Sequence, residues 1–66
     1  MSPVAAIIHE NGEVRRIVVT TDGIETLRHH YGPGEDMIIL EADHIMVHGV
    51  PDLAKAKALV AEKMVP

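Results

Sequence analysis

Sixty-six residues without a cysteine make at most one domain and exclude disulfides and thiolate metal sites, so a small core must rely on a partner, a histidine or carboxylate metal site, or closely packed aliphatic elements. One tyrosine and no phenylalanine or tryptophan imply an Ile/Val/Leu/Met/Ala core and no platform for stacking single-stranded nucleic acid. A formal net charge of −4 offers no footprint for a phosphate backbone, and no apolar run approaches the roughly 20 residues of a membrane span.

The first predicted element is a hairpin. Asn11-Gly12 stands between VAAIIHE and EVRRIVVTT, and Asn-Gly between two β-prone runs signals a type I′ turn, which needs positive φ at both positions. This predicts strands at about 3–10 and 13–20. The two-residue loop sets Glu10 opposite Glu13, Ile8 opposite Arg15, Ala6 opposite Ile17 and Val4 opposite Val19. On the other face His9 opposes Val14, Ile7 opposes Arg16 and Ala5 opposes Val18. Arg15, diagonal to Glu10, relieves the Glu10–Glu13 repulsion. Both faces carry apolar residues, whereas a hairpin in a small domain normally shows water a polar face. The second face, with Ile7, Val14, Arg16 and Val18, is therefore a candidate contact surface for a helix of this chain or for another subunit.

A helix is expected over about 23–31, with Asp22 as N-cap, Glu25 closing a capping box, and Ile24, Leu27 and Tyr31 forming a narrow inward stripe. Gly32 supplies a left-handed stop and Pro33 prevents continuation. His29 and His30 then occupy the last turn, where they suit the helix dipole, and Glu25 lies one turn before His29. In EDMIILEADHIMVHG, Met37–Glu41 and His44–His48 read as two strands meeting at Ala42–Asp43. Pairing Leu40 with Ile45 puts Ile38, Leu40, Ile45 and Val47 on a core face, and Met37, Ile39 and Met46 on a second face offered to partners. The last segment, VPDLAKAKALVAEKMVP, is a helix with Pro51 and Asp52 at its start and lysines later. Leu53, Ala56, Val60 and Met64 make one stripe; Ala54, Ala58, Ala61 and Val65 make another, able to meet a second surface. The expected architecture is a single α+β domain over residues 1–66, in the order β-β-α-β-β-α, with a four-stranded, mostly antiparallel sheet and two helices on one face.

The chemistry is mostly negative. On a strand, His44 and His48 would share a face but stand about 13 Å apart at roughly 3.3 Å per residue, too far to chelate one ion. No HEXXH pattern occurs, and the only other metal candidates are His29 and His30 at the helix end. Ser2, Thr20, Thr21 and Thr26 have no evident base, Glu35–Asp36 and Glu41/Asp43 read as solvated strand ends, and Gly32-Pro33-Gly34 lacks the Lys-Ser/Thr of a phosphate loop. So short a chain is also poorly suited to enclosing a small-molecule pocket. No enzyme, catalytic residue or cofactor is expected. Protonating all five histidines would reverse the sign of the net charge, which leaves a pH-sensitive assembly conceivable.

The stretch AAIIHENGEVRRIVVTTD, Ala5 to Asp22, covers about a quarter of the chain. It resembles the opening of small accessory structural proteins of tailed bacteriophages: an A-I-I-like strand, a short Gly turn, and a V-x-x-I-V strand ending in an acidic residue. Those relatives commonly carry aromatic residues after the second strand, where this chain has Thr20-Thr21-Asp22-Gly23. The resemblance implies a virion component docking on tail, baseplate or capsid proteins, and carries over no functional residue. The expected function is thus a non-enzymatic structural or interaction protein working within a larger assembly through protein partners or self-association, with no nucleic acid and no membrane insertion. The alternatives are a histidine-based metal-binding module and a small inhibitory or antitoxin-like regulator. The opening MSPVAAIIHE has no basic signal-peptide region, so the expected location is the cytoplasm, or the virion if the resemblance holds.

Overall fold

The hairpin forms around its Asn-Gly turn. In the computed structural model, which describes residues 3–64 apart from the side chain of Met64, β1 (Val4–Glu10) and β2 (Glu13–Thr20) pair antiparallel across Asn11 (φ 52°) and Gly12 (φ 83°). The left-handed pair is what a type I′ turn demands.

The register corrects the sequence expectation beyond the first two pairs. Glu10 opposes Glu13 and His9 opposes Val14, but a bulge follows, after which Ile8 opposes Arg16, Ile7 opposes Ile17, Ala6 opposes Val18, Ala5 opposes Val19 and Val4 opposes Thr20. Arg15 is the extra residue, and its guanidinium reaches Glu10 at 3.5 Å and Glu13 at 3.6 Å. The bulge has a clear physical basis. Strict alternation would seat Arg16 beside Ile7, whereas one inserted residue turns Arg16 to the other face and brings Ile17 and Val19 beside Ile7 and Ala5.

β3 (Asp36–Glu41) pairs with the opposite side of β1, giving the order β2-β1-β3, all antiparallel. β1 is therefore central, and its residues Ala5 to His9 are buried on both faces. The expected second hairpin is absent. Ala42–His44 makes a 3-10 turn instead of a reversal, and the next strands are a separate two-stranded ribbon, β4 (Met46–Val47) with β5 (Val50–Pro51). The true reversal is at His48 (φ 53°) and Gly49 (φ 81°), again a left-handed pair. The four-stranded sheet is thus replaced by a three-stranded sheet and a ribbon within a mixed α+β fold.

α1 (Leu53–Met64) begins at Asp52, which caps rather than occupies its first turn: its carboxylate accepts the N–H of Ala54 at 2.9 Å. The Asp52 N–H donates to the Ile45 carbonyl at 2.8 Å, tying the helix start to the ribbon. Ala56 and Val60 are fully buried and join Ala5, Ile7, Ala42 and Ile45 in the core, with Val14, Ile17, Ile38, Leu40, Met46 and Leu59 around it. Leu53, expected to head the buried stripe, is instead exposed, as are Ala54, Ala58 and Ala61 of the second stripe. The side chain of Met64, and Val65, lie outside the described residues.

The opposite sheet face is closed by the chain itself. Ala6 and Ile8 point away from α1 by strand alternation, yet both are fully buried, as is Leu27. Leu27 belongs to a 3-10 segment, Ile24–His30, that crosses this face as a strap against β2. An α-helix was expected here. The capping box does not form: Gly23 precedes the segment without a side-chain cap, and both the N–H and the hydroxyl of Thr26 donate to the Gly23 carbonyl, a three-residue spacing that fixes the tighter helix. Ile24 and Tyr31 are exposed, Tyr31 is extended, and Gly32 is not left-handed. Arg16 supplies the stop. Its Nε and Nη2 donate to the His30 carbonyl at 2.9 and 2.6 Å, and Nη1 and Nη2 donate to the Glu35 carboxylate at 3.2 and 2.6 Å.

The Gly32 N–H, donating to Glu35, together with the Arg16 hydrogen bonds and charge, holds the Glu35 carboxyl below its ordinary value of 4.5. The folded chain therefore binds this proton less readily than the unfolded chain. The stabilisation is full above the unfolded value and is lost as pH falls through the lower folded value. Thermal melts should show stability falling below pH 4.5. Glu35→Gln should lower the neutral-pH melting temperature and flatten this acid limb; superimposable acid limbs for the two proteins would contradict the assignment.

Candidate functional site

β3 is an edge strand, and its free side can be specified from the backbone alone. The Ala42 N–H donates to the Pro3 carbonyl at 3.1 Å, one step beyond the Val4–Glu41 pair, so positions 3 and 42 form a hydrogen-bonded pair. Such pairs alternate along an antiparallel ladder. Leu40, Ile38 and Asp36 therefore bond inward to Ala5, Ile7 and His9, while the N–H and C=O groups of Met37, Ile39 and Glu41 point outward. Among the described residues no strand pairs with this edge.

Beside it runs a groove. α1 packs mainly on β2 and β1 and stands back from β3, leaving an open cleft of about 550 Å3 between edge and helix. Ile38 and Leu40 form the strand side, with Ile39 between them pointing to the opposite face; Ala58 and Leu59 line the helix side, and Lys55, Lys63 and His44 complete the lining. Both lysines are exposed, and among the described residues neither forms an ion pair. Ile39 is 39% exposed, close to the 38% of Val19 in β2. A cleft of this size was not expected from so short a chain, and it arises because one helix cannot cover three strands.

The ten candidate contact residues scatter. Ile7 lies in the intramolecular core and Val14 packs against it; Arg16 and Val18 are on the strap face, so these four do not form one surface. Met46 also packs on the core, away from the face it was expected to share with Met37 and Ile39. Ala54 and Ala61 are exposed outside the groove, and only Ile39 and Ala58 of the ten line it. Ile38, Leu40, Leu59, Lys55, Lys63 and His44 were missed as contact residues. The available signal was the β-prone run DMIILE.

Two further groups carry potential chemistry. Glu41, Asp43 and His44 each bring a ligand atom within 4.8 Å of the others, all exposed, at the end of β3. The 3-10 turn creates this set, which the strand assignment of His44 had hidden. His48 takes no part, and His29 and His30 are exposed on the strap. His9 is 5% exposed, and its Nδ1 is buried without a hydrogen-bond partner. No helix among the described residues is long and apolar enough to cross a membrane. Compared with protein-family models, with curated proteins and with solved structures, the chain finds no match.

Proposed function

We propose that this chain is a non-enzymatic interaction protein that works within a larger assembly, using the free edge of β3 and its groove as the contact surface. The observation that carries the reading is the juxtaposition of three outward-facing backbone pairs with an apolar cleft. Strand addition uses both features at once: main-chain hydrogen bonds supply affinity, and alternate side chains seated in the cleft supply specificity. An uncovered edge is otherwise an aggregation hazard, which natural proteins blunt or cover. The resemblance of Ala5–Asp22 to accessory phage proteins suggests a specific form of this reading, a tail, baseplate or capsid component.

A photoreactive residue at position 58, in the groove, and another at position 57, exposed outside it, test the reading in cells that make the protein. A protein adduct of defined mass from position 58 and none from position 57 is expected. Equal labelling from both positions, or none from either, would overturn it.

A second reading, a histidine-based metal module, is favoured by the Glu41–Asp43–His44 set. Carboxylate and imidazole donors suit zinc or nickel. Zinc should then raise the melting temperature of the dialysed protein but not of His44→Ala; equal responses would remove this reading.

A further inference from the structure

We infer that the strap Ile24–His30 is an acid-released lid: its lock is the Arg16–Glu35 pair, its hinges are the glycines at its two ends, and its opening uncovers the sheet face beneath while the α1 face stays packed. The device stands apart from the β3 edge and goes beyond the reading of that edge. Two anchors hold the strap. Leu27 is its one buried side chain. Among the described residues, the only side-chain hydrogen bonds between residues distant in the chain are the four that Arg16 donates to the His30 carbonyl and to Glu35. No backbone hydrogen bond joins the strap to the sheet among the described residues.

The lock depends on one carboxylate. Glu35 receives two hydrogen bonds from Arg16 and a third, at 2.9 Å, from the Gly32 N–H. It thereby closes the loop after the strap and orients the guanidinium that grips the strap's last carbonyl. A proton on Glu35 removes the countercharge of Arg16 and turns an acceptor oxygen into a donor among donors. The same bonds hold the Glu35 carboxyl below its ordinary value of 4.5, so the lock is closed at neutral pH and opens as pH falls through the lowered value. No neighbouring charge offers a second lock. On the sheet, Arg15 pairs with Glu10 at 3.5 Å, and Asp36 is exposed beside Glu35 without an ion pair among the described residues. On the strap, Glu25 and Arg28 pair with each other at 3.7 Å. The side chains of His29, His30 and Tyr31 bond to nothing among the described residues.

The ends of the strap are built to turn. Gly23 (φ 103°) precedes it with open space around the position of a side chain, and Gly32 and Gly34 (φ 84°) follow it. Such residues absorb the backbone rotations of a hinge at little steric cost. Beneath the strap, Ala6 and Ile8 of the central strand are fully buried. The residues of the other face, Ala5, Ile7, Ala56 and Val60, pack on one another without any part of the strap, so one face opens independently of the other.

Amide hydrogen exchange of the full chain, corrected for the intrinsic effect of pH, tests the inference. Between about pH 7 and about pH 3, the amides of Leu27 to His30 should lose protection at least roughly tenfold more than those of α1. A dye that fluoresces on apolar surface should bind over the same pH range. Glu35→Gln should show the open strap already at neutral pH, with strap protection that no longer changes on acidification. Asp36→Asn, which removes the neighbouring carboxylate outside the lock, should keep the wild-type pH dependence. Strap and α1 amides that lose protection together, or a strap that stays protected in acid, would overturn the inference from the wild-type chain alone. A folded Glu35→Gln variant whose strap follows pH as wild type does would overturn it too, as would an Asp36→Asn strap that is already open at neutral pH.

Discussion

Ile7→Ala is expected to leave most of the chain unfolded at room temperature or close to it. Ile7 is fully buried at the middle of the central strand, opposite Ile17 in β2 and Ile38 in β3, on the face covered by α1. Truncating a buried isoleucine to alanine costs about 2–5 kcal/mol, the larger values where neighbours cannot collapse into the space. Collapse is difficult here, because the facing groups are β-branched residues held in a ladder and the compact Ala56 of α1. A domain of this size has roughly 3–10 kcal/mol of stability in total. Denaturant unfolding should place the alanine variant at a much lower midpoint, with Ile7→Val lying between it and wild type at a cost of about 1 kcal/mol. An alanine variant with an unchanged midpoint would mean that the core is not organised around this strand.

Leu27→Ala should cost about 2–4 kcal/mol through a different route. Leu27 is the fully buried residue of the strap and lies over the face on which Ala6 and Ile8 are buried. Its loss should loosen residues 24–30 while leaving the α1 face assembled. Trypsin should then cut at the exposed Arg28 at concentrations that spare the wild-type chain, while the amides of α1 stay protected. Arg16→Lys should act in the same direction, since lysine keeps the charge but cannot reproduce the fork that grips the His30 carbonyl and Glu35 together. A protease-resistant strap in Leu27→Ala would show that the segment is held by its polar contacts alone.

The parts of this fold that could be read from the sequence were those fixed by local chemistry. Asn11-Gly12 set the first hairpin, and Asp52 marked the start of α1 because a capping carboxylate favours that place whatever surrounds it, whereas Pro51, expected at the helix entry, ends β5 opposite Met46. The apolar character of both hairpin faces was also legible, but not its cause: β1 is the central strand, covered by α1 on one face and by the strap on the other. The bulge at Arg15 escaped because either register buries aliphatic residues on both faces; only the covering elements decide where Arg16 can go.

The second half was misread for two physical reasons. His48-Gly49 was the better turn signal than Ala42-Asp43, and the β1–β3 pairing joins segments separated by the whole strap, a non-local contact without a periodic signature. The groove is the least legible feature. It exists because α1 leaves β3 uncovered, so residues 38–40 and 55–63 become neighbours only after the chain has packed.

The central claim is that the outer edge of β3 is an unfilled place in a sheet. Amide hydrogen exchange, followed residue by residue, tests it most directly. In dilute solution Ile38 and Leu40 should be protected while Met37, Ile39 and Glu41 exchange freely, and assembly should protect these three. Protection of Met37, Ile39 and Glu41 at every dilution, or their continued exchange in the assembled state, would contradict the account.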